Sequence, residues 1–214
     1  MAISLWKNVS VAMQSAIAAT KTITAITKAS PAVCSATSNG YSNGDYVLLT
    51  VQGMFQVHGR VFRVTSAATD TFALEGCDST LFDTFSSGTA QKLTFGTSIT
   101  TALDWSSSGG GFDQIDTTTI HAGQKSSIPG LPAAMAFNFN SIWDPADAGL
   151  IALKTASDSQ AQRAVKLTFG TGGAIVVFNG YVGCSMAPGG SAQDKVTTQV
   201  TISSTGASPT AYSS

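Results

Sequence analysis

The stretch from Val165 to Ser203 constrains the fold most. It reads as consecutive strands joined by tight turns, a pattern that belongs to an antiparallel sheet. Val165, Leu167 and Phe169 alternate with Lys166 and Thr168, and Gly170, Thr171, Gly172 and Gly173 then let the backbone reverse. The returning run puts Val176, Phe178, Val182, Cys184 and Met186 on one face. Within it, Asn179-Gly180 is either a type I′ turn between two short strands or, with Gly183, a bend in one long strand. After a loop at Pro188, Gly189 and Gly190, Val196, Thr198, Val200 and Ile202 are expected inward and Thr197, Gln199, Thr201 and Ser203 outward. A sheet apolar on one face only must be covered by another element.

Length and composition narrow the class. A chain of 214 residues can bury one sizeable core or two modest ones, so folding requires no partner. Charged residues make up 11% of the sequence, against roughly 25% in ordinary soluble domains, and Ser, Thr and Gly fill the polar positions. That composition suits a protein whose faces are occupied by neighbours, and a Ser/Thr-rich β-domain shares it. A net charge of −1 and a pI near 6.0 exclude a basic footprint that grips nucleic acid. Cys34, Cys77 and Cys184 are odd in number and widely spaced, which speaks for reduced thiols and against a disulfide framework or a CxxC metal pair. The longest apolar runs are too short to cross a bilayer, and Asn8, Ser10, Gln14 and Ser15 interrupt the one stretch that resembles a signal peptide.

Along the chain, residues 1–20 alternate roughly at Ile3, Leu5, Lys7, Val9 and Val11, as in a strand. Ala12, Met13, Ala16, Ile17 and Ala19 would equally serve a helical face. From Lys21 to Lys92, short β-runs alternate with strong turns. The expected strands are Ile23–Thr27, Ala32–Ala36, Tyr46–Val51, Arg60–Thr65 and Thr71–Leu74. The glycine-marked turns Gly40-Tyr41-Ser42-Asn43-Gly44-Asp45, Gly53-Met54 and Gly59-Arg60 resemble a small β-module found as an insertion or tandem unit in bacteriophage structural proteins. Copies of that module commonly carry His-Gly where this chain has Asn39-Gly40, a change the turn accepts because Asn tolerates positive φ.

Residues 96–143 read as loop-rich, with Gly109-Gly110-Gly111 as a flexible point. Asp113-Gln114-Ile115-Asp116-Thr117-Thr118-Thr119 then leads, after a spacer, to Ser127-Ile128-Pro129-Gly130 and an alternating strand at Met135, Phe137 and Phe139. One helix is expected from Asp144, with that carboxylate as cap, Pro145 at its first position, Asp147 against the positive dipole end, and Ala146, Leu150 and Leu153 buried. Taken in order, these features resemble the major tail tube proteins of long-tailed bacteriophages: the Asp-x-Ile-Asp-Thr-Thr strand, an Ile-Pro-Gly turn, the helix, the hairpin with Phe178-x-Gly180-x-Val182, and the last strand before Thr205-Gly206. The segment Lys92-Leu93-Thr94-Phe95-Gly96-Thr97 recurs as Lys166-Leu167-Thr168-Phe169-Gly170-Thr171, either as reused strand-and-turn vocabulary or as a duplicated strand edge.

Reactive groupings are scarce. His58 and His121 are the only histidines, which leaves few ways to build a triad or a His-based metal site. Asp104, Asp113 and Asp116 lack the dense loop of a calcium motif, and neither glycine-rich stretch ends as a phosphate cradle does. Neither an enzyme nor a cofactor is expected.

The resemblance implies an all-β fold, a tail-tube-type β-sandwich or barrel with one flanking α-helix, formed by residues 1–20 and 93–214, with residues 21–92 inserted as a small β-module. It further implies hexameric rings stacked into a tube in the virion tail, assembled in the host cytoplasm. Expected partners are tape measure and tail terminator or tip proteins, genomic DNA in transit without specific binding, and no membrane. The expected assembly contacts are Ile3, Leu5 and Trp6 in the N-terminal arm, Gly109, Gly110, Gly111 and Phe112 in the glycine loop, and Pro209 and Tyr212 near the C-terminus. A surface- or carbohydrate-binding module of a phage fibre or baseplate is the alternative, with residues 21–92 as its working part.

Overall fold

The computed structural model describes residues 6–170, 173–204 and 208–213. Its strands are β1 (Val9–Ile17), β2 (Lys21–Ile23), β3 (Ala25–Ile26), β4 (Val33–Ser35), β5 (Tyr46–Gln52), β6 (Val61–Thr65), β7 (Thr71–Leu74), β8 (Ser87–Ile99), β9 (Ser106–Ser108), β10 (Phe112–Asp116), β11 (Ser127–Pro132) and β12 (Ala136–Ile142). After helix α1 (Ala148–Asp158) come β13 (Gln162–Phe169), β14 (Ile175–Cys184), β15 (Thr197–Ser204) and β16 (Thr210–Tyr212). Fourteen strands form one sheet with the path β3-β4-β7-β6-β5-β8-β1-β13-β14-β15-β12-β9. β2 pairs with β8 and β16 with β14 off this path, while β10 and β11 form a sheet of their own.

The sequence between Val165 and Ser203 folds as its alternation requires, with β13, β14 and β15 antiparallel neighbours. Asn179-Gly180 is not a turn. Gly180 sits inside one continuous β14, opposite Arg163 on one side and Ser204 on the other. Val165, Leu167, Phe178, Val182, Cys184, Val200 and Ile202 all enter one core, whereas Val196 precedes β15 and is exposed. Aromatic packing organises that core: Trp105 stacks on Phe139 at 4.9 Å, and Phe137 on Phe178 at 3.9 Å. Residues 9–17 are strand, because β1 lies between β8 and β13 and receives ladder bonds from both.

Helix α1 starts later than its sequence suggests. Asp147 is the cap, its Oδ1 accepting from the Leu150 amide at 2.8 Å, while Asp144 caps the preceding turn by accepting from the Ala146 amide at 2.9 Å. Ala146 is accordingly exposed, and the buried stripe is Gly149, Leu150, Leu153 and Ala156. The first turn of α1 lies against the end of β8, so closely that a Cβ on Gly149 would come within 2.7 Å of the Ser98 carbonyl oxygen. No sheet closes into a barrel among the described residues. The helix occupies the end of β8, and the far edge of the sheet is β9, with three exposed serines.

Buried side chains fall into three clusters. One lies within residues 23–90 and includes Val47, Leu49, Phe62, Phe72 and Leu74. A second joins β1, β12–β15 and α1. The third, Val61, Leu93, Ala164, Val177 and Tyr212, lies between them. β8 serves both sides, pairing with β5 and β2 in its first half and with β1 in its second. Lys92–Thr97 lies on β8 and Lys166–Phe169 on β13, to either side of β1, but Leu93 enters the third cluster and Leu167 the second, so these parts of the two copies are not structurally equivalent.

Asn39 does more than fill a turn. Positive φ falls on Ser38 and Gly40, and the buried Asn39 Nδ2 donates to the carbonyls of Ala68 (2.9 Å) and Thr69 (3.0 Å) while its Oδ1 accepts from the Tyr41 amide at 2.8 Å. Tyr41 beside it donates its hydroxyl to the Ala90 carbonyl at 3.1 Å, and burial pushes its phenol up to about 12.

Two measurements follow from this packing. Asp147→Ala should lower unfolding free energy by about 1 kcal/mol, and Asp144→Ala by less, in paired denaturant melts. The folded state holds the Tyr41 proton above the phenol's ordinary value near 10, so its contribution is complete below about pH 10 and lost as pH rises through about 12. Tyr41→Phe should be less stable at neutral pH, yet lose stability less steeply over that alkaline window.

Candidate assembly surface

The sequence around the three glycines builds a projecting ribbon. At its base the Gly110 amide donates to Ala133 O at 3.2 Å and the Ala133 amide to Gly111 O at 2.8 Å. Gly109 has φ +88°, and a Cβ there would lie 2.3 Å from the Ala134 carbonyl oxygen. Beyond this clamp β10 and β11 pair, Ile115 opposite Ile128 and Asp116 opposite Ser127. Side chains extend the pairing towards the tip: Ser127 Oγ donates to Gln114 Oε1 at 2.9 Å, the Ser126 amide to Thr118 Oγ1 at 3.0 Å, and the Thr118 amide to Asp116 Oδ1 at 2.8 Å. Hydrogen bonding from Thr118 holds the Asp116 carboxyl below its usual range.

The Asp-x-Ile-Asp-Thr-Thr and Ile-Pro-Gly residues are thus the two arms of one hairpin. Ile128-Pro129-Gly130 is strand, not turn, because its residues face β10. Along the ribbon, apolar side chains stand exposed beside polar ones. Ile115 and Ile128 share one face, Leu131 is 85% exposed, and Ile120 near the tip is 96% exposed. Nothing in the sequence pattern separated these side chains from core positions, since an isoleucine in an alternating run looks the same whether its strand is covered or bare.

The other expected contact residues are dispersed. Ile3 and Leu5 lie outside the described residues. Trp6 is exposed, its ring edge-on to Phe169 at 5.2 Å, at the rim of an open groove of about 710 Å³ lined by Val9, Val11, Ile99, Leu103 and Trp105. Phe112 is exposed at the start of the ribbon. Pro209 is half-buried, and Tyr212 is enclosed by its own chain, 6% exposed.

Residues suited to chemistry are occupied structurally. Asp104 accepts from the Asn140 amide (2.7 Å) and from Asn140 Nδ2 (2.8 Å), which holds its carboxyl low. His121 is exposed near the ribbon tip. The three cysteines are buried, and desolvation pushes the Cys34, Cys77 and Cys184 thiols up, away from the nucleophilic thiolate. Among the described residues no group of three His, Cys, Asp or Glu side chains is placed to hold a metal ion.

A family model described as phage tail tube protein matches residues 52–214, most of the chain and all of its ribbon, helix and C-terminal strands. The chain belongs to the phage tail tube protein family. No individual curated protein matched it. The match begins at the last residue of β5 and so takes in part of the first buried cluster as well as the whole of the second half. As a tail tube protein it has a structural, non-enzymatic role.

Gly109→Ala should shift the ribbon's base, since the added methyl meets backbone that cannot step aside. Faster hydrogen exchange at the Gly110 and Ala133 amides, with core amides unchanged, is the expected result.

Proposed function

We propose that this chain assembles into hexameric rings that stack into a hollow phage tail tube, the channel through which the genome passes on ejection. The β10–β11 ribbon supports this reading most directly. A two-stranded hairpin alone in water is marginal, and this one carries apolar side chains outward along its length and at its tip. Burial against neighbouring subunits supplies the missing cover. Ring contacts are heterologous and close by rotation, whereas stacking is open-ended and yields a filament. Phe112 and Trp6 are exposed and Gly109–Gly111 form the base of the ribbon, which makes them further contact candidates. The near-neutral composition lets DNA pass without being held, because phosphate affinity needs clustered Lys and Arg.

In this arrangement residues 1–20 and 93–214 form the tail-tube-type β-domain, and residues 21–92 are an inserted module on the outside of the tube. The completed tail would also engage a tape measure protein inside and terminator or tip proteins at its ends. In the module, Phe55 is the single strongly exposed aromatic among the described residues, a poor start for a sugar-stacking groove.

Negative-stain electron microscopy with light scattering at rising concentration tests the proposal. Wild type should give six-fold rings or hollow tubes. Ile128→Asp with Leu131→Asp should remain monomeric with an unchanged melting temperature, since both positions are exposed. Tubes from that double variant would remove the ribbon from assembly, and a wild-type monomer that binds glycans would favour the fibre or baseplate reading instead.

A further inference from the structure

The edge of β6 is left incomplete by its strand partner. β7 ends at Leu74, and the ladder between them runs only through Val64 and Thr65. The Arg63 amide and the Val61 carbonyl therefore face the same side with no strand opposite. Both are satisfied by side chains from the far end of the chain. The Arg63 amide donates to the Tyr212 hydroxyl at 2.7 Å, and the Thr210 hydroxyl donates to Val61 O at 2.6 Å. Tyr212 lies beneath the Arg63 guanidinium, 4.7 Å from ring centroid to the guanidinium carbon, and Arg63 is itself paired with Glu75.

The backbone of the same three residues is engaged elsewhere. Ile175, Val176 and Val177 of β14 pair with Tyr212, Ala211 and Thr210. β16 is thus joined through its main chain to β14 and through two hydroxyl groups to β6. Burial of the Tyr212 phenol keeps it protonated and its hydroxyl neutral.

We propose that β16 is a strap that fixes the attitude of residues 21–92 on the remainder of the chain. The inference rests on reading 21–92 as a module, and it does not require that tubes form. With β16 in place the module is held on two sides, by β8 and by the strap. Without it, β8 and the remaining side chains of the third cluster are the hinge.

Spin labels at Leu81→Cys in the module and Ile151→Cys on α1, both exposed positions in a chain whose own cysteines are buried, report the attitude directly. Pulsed electron resonance on the isolated protein should give one narrow distance distribution. A chain ending at Ser208 should give a broadened one while keeping near-ultraviolet circular dichroism from both cores. An unchanged distribution in that folded truncation overturns the strap. Thr210→Val with Tyr212→Phe, which keeps the strand but removes both hydroxyls, decides the matter if the truncation does not fold: hydrogen exchange at the Arg63 amide should rise by about tenfold. Unchanged exchange there overturns the proposal. Because neither readout involves assembly, a protein that forms no tubes would refute the proposed function and leave this result standing.

Discussion

Everything in this molecule hangs from β8. Its thirteen residues are laddered to β5 and β2 at one end and to β1 at the other, so that two separately packed cores share a single strand. Shared backbone makes their joint continuous, and the small cluster around Val61, Leu93, Ala164 and Val177 fills the angle between them. A clean excision of residues 21–92 would cut β8 between Lys92 and Leu93 and bare that cluster. Residues 21–92 therefore have a core of their own but share their ladder with the rest of the chain.

The large sheet also shows how edges are managed without closure. Helix α1 covers the end of β8, exposed serines line β9, and hydroxyl groups from β16 finish β6. The β10–β11 ribbon is the exception, with apolar side chains left outward.

Much of this was legible in the sequence, and the reasons differ by element. Alternation located β4 to β7 and β12 to β15 because each has one covered face, which is the condition under which a period of two appears. The helix was found by its Asp-Pro start but entered three residues early, since Asp144 and Asp147 are both competent caps and only the approach to β8 selects the second. Asn179-Gly180 carries a turn signature that β13 overrides by pairing through both residues. The second arm of the ribbon has the signature of an Ile-Pro-Gly turn but folds as a strand, and nothing in its alternation marks the isoleucines as uncovered. Pro209 and Tyr212 are expected from the sequence as assembly contacts, yet Tyr212 is enclosed by its own chain. No local pattern reveals that a hydroxyl near the end of a chain completes a strand edge 149 residues earlier.

That separation bears on how the protein is made. All side chains of the first core lie within residues 23–90, but the amide of Arg63 and the carbonyl of Val61 find their partners only once residues 210–212 have been synthesised. Contacts so remote in sequence form late, after the loop entropy between them has been overcome. The joint between the two cores is then among the last parts of the molecule to set, and a nascent subunit carries an open strand edge for most of its synthesis. Until then the edge is open to any unpaired strand, and the two hydroxyls close it without adding a strand of their own.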